Sequence, residues 1–98
     1  MSYRIEFTPE AKREIEYELE YSRKKWGVRH TSTYRKGITD YLRRIAANPL
    51  QYALKPHYGD DVRAVLYKGN YIVYRCNTTQ KIMQVIGFPS IHKNAPGS

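Results

Sequence analysis

The chain opens on an alternation: Tyr3, Ile5 and Phe7 are apolar or aromatic, while Arg4 and Glu6 between them are charged. Period two predicts a short strand with one face turned inward, stopped by Thr8-Pro9. Thr8 is placed to cap a helix that begins at Pro9, and Glu10 in its first turn complements the positive end of the helix dipole. Ala11, Ile15, Leu19, Ser22 and Trp26 then recur at helical spacing and predict one semi-apolar stripe, beside a stripe of Glu10, Glu14 and Glu18 that reads as a solvated face. Arg23, Lys24 and Lys25 fill the last turn and Gly27 ends it. After a short connection through His30, Thr31 or Ser32 is placed to cap a second helix with the stripe Tyr34, Ile38, Tyr41, Leu42 and Ile45, closed by Asn48-Pro49. So short a link predicts an antiparallel helical hairpin, and its narrow apolar stripes need a sheet to lie on.

Residues 50–61 mix Pro, Gly and Asp with Tyr and read as a structured loop. Three segments rich in Val, Ile and Tyr follow, 62–67, 71–76 and 81–88, separated by turns at Lys68-Gly69-Asn70 and Asn77-Thr78-Thr79-Gln80. The predicted order is β-α-α-β-β-β, an α+β fold with the helical hairpin packed on one face of an antiparallel sheet and the other face free for a ligand. Pro89 breaks the last strand, and residues 89–98 are expected to form a polar, mobile tail.

A length of 98 residues suits one domain, and a hydrophobic fraction of 41% excludes a disordered chain. Ten Tyr against two Phe and one Trp put hydroxyls wherever rings pack, which favours a wet binding face. Charge is uneven: residues 1–20 hold six acids and three bases (−3), residues 21–98 fourteen bases and three acids (+11), together the net +8. Such a field recruits polyanions or an acidic protein. The lone Cys76 excludes an internal disulfide and reads as a small buried hydrophobe; with no apolar leader or spanning run, a cytoplasmic protein without a membrane partner is expected.

Cofactor chemistry finds no foothold, because the glycines are scattered singly and neither a phosphate loop nor a nucleophile elbow is present. His30, His57 and His92 lie in different segments without ligand spacing, so neither metal nor cofactor is expected. What remains is a basic and aromatic set: Arg63 and Tyr67 on the second strand, Tyr71, Tyr74 and Arg75 on the third, Lys81 and Gln84 on the fourth, and His92 and Lys93 after it. These are the candidate binding residues. Arg63 reads equally well as structural, paired with Asp60, Asp61 or a loop carbonyl.

The run Tyr21 to Val28, then Tyr34, Ala46-Ala47-Asn48-Pro49, Val62-Arg63, Gly69 to Arg75 and Val85-Ile86 resembles the ParE branch of the RelE/ParE toxin superfamily. The resemblance implies the same β-α-α-β-β-β fold and the toxin half of a type II toxin-antitoxin pair, neutralised by an acidic antitoxin that wraps the sheet and helices. It further implies inhibition of DNA gyrase by binding. The RelE branch instead cleaves mRNA on the ribosome, and for that alternative the residues would be Arg75, His92 and Lys93. Tyr71 stands where a RelE-like enzyme carries a strand Arg, and Gly87-Phe88-Pro89-Ser90 where its basic C-terminal segment begins, which argues against the nuclease. Direct contact with nucleic acid stays open.

Overall fold

In the computed structural model, which describes residues 2–91, the elements run β1 (Arg4–Phe7), α1 (Pro9–Trp26), α2 (Val28–Ala47), β2 (Val62–Tyr67), β3 (Asn70–Asn77) and β4 (Ile82–Gly87). Short 3-10 turns at Pro49–Gln51 and Pro56–Tyr58 structure the loop before β2. The Thr8 hydroxyl accepts the Ala11 N–H at 3.1 Å, the cap that starts α1.

The link between the helices is a single residue. Gly27, at φ 93° and ψ 173°, donates its N–H to the Arg23 carbonyl at 2.9 Å to end α1, and its own carbonyl accepts the Thr31 N–H at 3.1 Å to begin α2. Thr31 therefore lies inside α2 rather than capping it. Its hydroxyl turns back to the Gly27 carbonyl at 2.9 Å and reaches the Ser22 hydroxyl at 3.2 Å, a buried polar tie across the hairpin.

The sheet has the order β1-β4-β3-β2 and is mixed. The three-strand meander is antiparallel as expected, but β1 joins β4 in parallel, with Ile5 opposite Met83 and Phe7 opposite Val85. Periodicity in β1 specifies which side chains face inward, not the direction of the neighbouring strand. The intervening helices and meander supply the long crossover that a parallel pair requires. Between β2 and β3, Lys68 (φ 47°) and Gly69 (φ 86°) make a two-residue turn with both residues left-handed, the geometry that matches strand twist. Between β3 and β4 the register shifts: Tyr74 opposes Val85 and Val73 opposes Gly87, leaving Ile86 as an extra residue that bends β4.

The main core lies between the hairpin and one sheet face. Ala11, Leu19, Ile38, Leu42 and Ile45 from the helices meet Ile72, Tyr74, Met83, Val85 and Phe88. Each large side chain buried there contributes about 1.5–3 kcal/mol. The opposite face is not bare: Val62, Ala64 and Val73 form a second buried cluster with Tyr71 and Ile86 against it. Gly59 packs down on that face so closely that a Cβ would come within 2.9 Å of Val62 Cγ2. Pro89–Ile91, expected to begin a mobile tail, are bonded to the start of β3 instead.

Candidate functional site

The candidate residues on the strands divide between the two faces. Strand pairing sets Arg63 opposite Tyr74, on the side of the helices, and Arg75 opposite Val62 and Gln84, on the open side. The two arginines therefore do not share a positive face. Arg63 Nη1 donates to the Tyr52 carbonyl at 3.0 Å, the loop-carbonyl role that the sequence allowed. Arg75 pairs with the Asp61 carboxylate at 3.2 Å, both side chains substantially exposed.

Tyr74 corrects an expectation. It is fully buried, and its hydroxyl donates to the Pro49 carbonyl at 2.6 Å, so it is a core residue with no surface to offer a partner. Burial also holds its hydroxyl well above the usual tyrosine range, with Cys76 a smaller contributor. Tyr67 stacks on the hairpin, its ring 4.9 Å from Tyr41 and 6.5 Å from Tyr34. Tyr71 is half-buried on the open face, where it packs on the second cluster. Lys81 lies at the other end of the meander from Tyr67, its ammonium 5.3 Å above the Tyr3 ring. His92 and Lys93 lie outside the described residues. Cys76 is partly buried with its thiol pushed up by desolvation, against the opposing effect of Arg63, so it is a weak nucleophile.

Around Arg75 the open face carries a shallow, polar hollow of about 540 Å³ bordered by Glu6, Asp61, Asn77, Gln80 and Gln84. Two carboxylates beside one guanidinium make this a poor seat for a polyanion. Among the described residues no cluster of three or more His, Cys, Asp or Glu could hold a metal ion, and no helix is long and apolar enough to cross a membrane.

The larger concavity, about 600 Å³, lies where the hairpin tip meets the β2–β3 turn. Tyr17, Tyr21 and Trp26 of α1 line it, although these residues are 54%, 53% and 59% exposed, and Tyr34 of α2 and Lys68 and Asn70 of the turn close its other side. Lys25 holds its ammonium 5.6 Å from the Tyr21 ring and 5.1 Å from the Trp26 ring, and Trp26 approaches His30 at 5.7 Å. Burial, with a smaller contribution from Glu18, pushes the Tyr34 hydroxyl up to about 12. The groove thus combines exposed aromatic area with the cations Lys25 and Lys68 at its edge and one carboxylate, Glu18, in its lining. In the sequence Trp26 falls on the predicted core stripe, Tyr21 enters only through the family run, and neither Tyr17 nor Tyr21 stands among the candidate binding residues. Their i,i+4 spacing, offset from Ala11, Ile15 and Leu19, was the available signal.

A tight helical hairpin on a mixed four-stranded sheet, with an aromatic groove at their junction, defines a small basic α+β fold. The profile of the ParE toxin family, toxins of the type II toxin-antitoxin system parDE, matches residues 5–89, and the chain belongs to that family. A solved chain from the chromosomal ParDE toxin-antitoxin system of P. aeruginosa shares the fold with a TM-score of 0.76. The match covers 92% of this chain and 97% of that one at 13% identity, a likeness of fold alone. No curated protein matches the chain in sequence.

Proposed function

We propose that this toxin-family chain acts by binding: a cognate acidic antitoxin docks in the groove at the hairpin tip, and the free toxin inhibits DNA gyrase. The observation that carries the antitoxin site is the set of exposed Tyr17, Tyr21 and Trp26 rings with Lys25 seated over two of them. Large, stiff aromatic side chains give much contact area at low entropic cost and dominate binding energies when a partner covers them. The net charge of +8 speeds the encounter with an acidic partner, while the rings supply affinity once water leaves.

Inhibition by binding is favoured over mRNA cleavage because the strand arginines are already engaged, Arg63 by a carbonyl and Arg75 by Asp61, and Tyr74 is sealed in the core. The experiment is co-expression with the adjacent small acidic gene, followed by size exclusion and a supercoiling assay on the freed toxin. A stable complex, weakened roughly tenfold or more by Trp26→Ala or Tyr21→Ala, and lost supercoiling are expected. Absence of a complex would remove the antitoxin reading. Codon-specific mRNA cuts that vanish in His92→Ala would replace gyrase with the ribosome.

A further inference from the structure

Positive charge is divided unequally between the two helices. α1 carries five bases and five acids, whereas α2 carries five bases, Arg29, Arg35, Lys36, Arg43 and Arg44, against Asp40 alone. The second helix therefore holds +4 of the chain's net +8. Arg29, Lys36 and Arg43 stand seven residues apart, about two helical turns, so they fall in one line on the side of α2 opposite the buried Ile38, Leu42 and Ile45. At a rise of about 1.5 Å per residue the line is about 21 Å long, with a cation about every 10 Å.

Acids do not balance this line. Lys36 Nζ lies 3.0 Å from one oxygen of the Asp40 carboxylate and Arg43 Nη1 4.0 Å from the other, so one acid serves two bases. The Lys36 and Arg43 side chains are nonetheless 78% and 74% exposed. Among the described residues Arg29 has no acidic partner. Arg35 and Arg44, beside the line, approach Glu16 at 3.8 Å and the Tyr41 ring at 6.0 Å. Between the three cations the face offers exposed Ser32, Thr33 and Asp40, and no apolar or aromatic side chain. None of Arg29, Lys36 and Arg43 borders the aromatic groove.

We infer that this outer face of α2 is a docking surface for the sugar-phosphate backbone of double-stranded DNA. A protein partner needs apolar area at the centre of its interface, where charged side chains are depleted. Phosphates need the opposite: their contacts come from Arg, Lys and small hydroxyl side chains, and each phosphate neutralised releases condensed counterions. A single strand requires aromatic platforms on which its bases stack, and the line has none. A duplex holds its phosphates on a rigid frame, about six base pairs of it along about 21 Å, which suits a straight and evenly spaced row of cations. Contact with the backbone alone is independent of sequence. This ligand is additional to the antitoxin and gyrase proposed above and rests on neither.

The test measures fluorescence anisotropy of the full chain with a labelled DNA duplex of about 20 base pairs, across a salt series that starts near 50 mM. One variant combines Arg29→Gln, Lys36→Gln and Arg43→Gln; a control on α1 combines Lys12→Gln, Arg13→Gln and Lys24→Gln and has the same net charge. Glutamine is as good a helix former as the residues it replaces, and equal melting temperatures check that both variants fold. Relative to wild type and control, the α2 variant should bind roughly tenfold or more weakly, with a slope of log K against log salt shallower by about 2.7, three phosphates at about 0.9 each. Duplexes of unrelated sequence should bind within about threefold of one another. No duplex binding near 50 mM salt would overturn the assignment, and equal weakening in the two triple variants would reduce it to net charge. Tighter binding of single-stranded DNA would take the face away from the duplex, and a preference of about tenfold for duplex RNA would assign it to RNA. Displacement of the duplex by polyglutamate at equal charge would assign it to an acidic protein instead. Failure to find an antitoxin complex or gyrase inhibition would leave each of these outcomes unchanged.

Discussion

Arg63 and Arg75 carry the same side chain on neighbouring strands and do different work. The Arg63 guanidinium is half-buried on the helix side and holds the loop at the Tyr52 carbonyl, whereas the Arg75 side chain is 45% exposed in its pair with Asp61. A charged hydrogen bond to a partly buried carbonyl is worth on the order of 1.5–3 kcal/mol, while an exposed ion pair contributes roughly 0–1 kcal/mol. Arg63→Ala should therefore lower the urea midpoint clearly, and Arg75→Ala should leave it nearly unchanged. Equal losses at the two positions, measured with one probe on one buffer, would contradict this division. The same logic makes the buried Tyr74 hydroxyl a support for the Pro49 carbonyl rather than a contact for any partner.

Packing between α2 and β2 turns on a glycine. Gly37 sits inside α2, where alanine is ordinarily more favourable by about 0.8–1 kcal/mol. Here a methyl group would collide with the Tyr67 hydroxyl, and the Tyr67 ring is held between Tyr34 and Tyr41. The glycine is the space that lets a tyrosine of the sheet lie on the helix. Gly37→Ala alone should destabilise or stay neutral, yet in a Tyr67→Phe background it should recover roughly 0.5–1 kcal/mol, the helix propensity no longer opposed. A double-mutant cycle by chemical denaturation reads this coupling, and simple additivity would show that the contact is unimportant.

For the molecule as a whole, the raised tyrosines set an alkaline limit. Burial pushes the Tyr34 hydroxyl up to about 12 from the ordinary tyrosine value of about 10, so between those pH values the folded state holds a proton that the unfolded chain has released. Stability then falls as pH rises, with its full contribution present below the unfolded value. Tyr67 and Tyr74 are shifted in the same direction by burial and add to the loss. Melting temperature should be flat near pH 7, begin to fall above about pH 8 as the partly buried Cys76 thiol keeps a proton that the unfolded chain releases, and drop further above about pH 10, where Tyr34→Phe should remove on the order of 1–2 kcal/mol of the loss. A parallel decline in wild type and variant would place the alkaline transition elsewhere.

Local chemistry along the chain was enough for the elements: Thr8 and Pro9 start α1, the stripe from Tyr34 to Ile45 defines the face of α2, and alternation in β1 turns Tyr3, Ile5 and Phe7 inward. These are near-neighbour effects, set by capping, helical period and pleat. The family resemblance was legible for the same reason, since its motifs are short runs at the helix ends, the turns and the strands. Everything that depended on which distant segments meet was decided by the tertiary structure. The parallel pairing of β1 with β4, the separation of Arg63 from Arg75, the grip of Glu14 on Phe88 and the meeting of the α1 aromatics with the β2–β3 turn are of this kind. A period of two or 3.6 residues tells a side chain which way to face. It carries no information on what lies opposite, and a groove made from two helices and a turn exists only once the chain has brought them together.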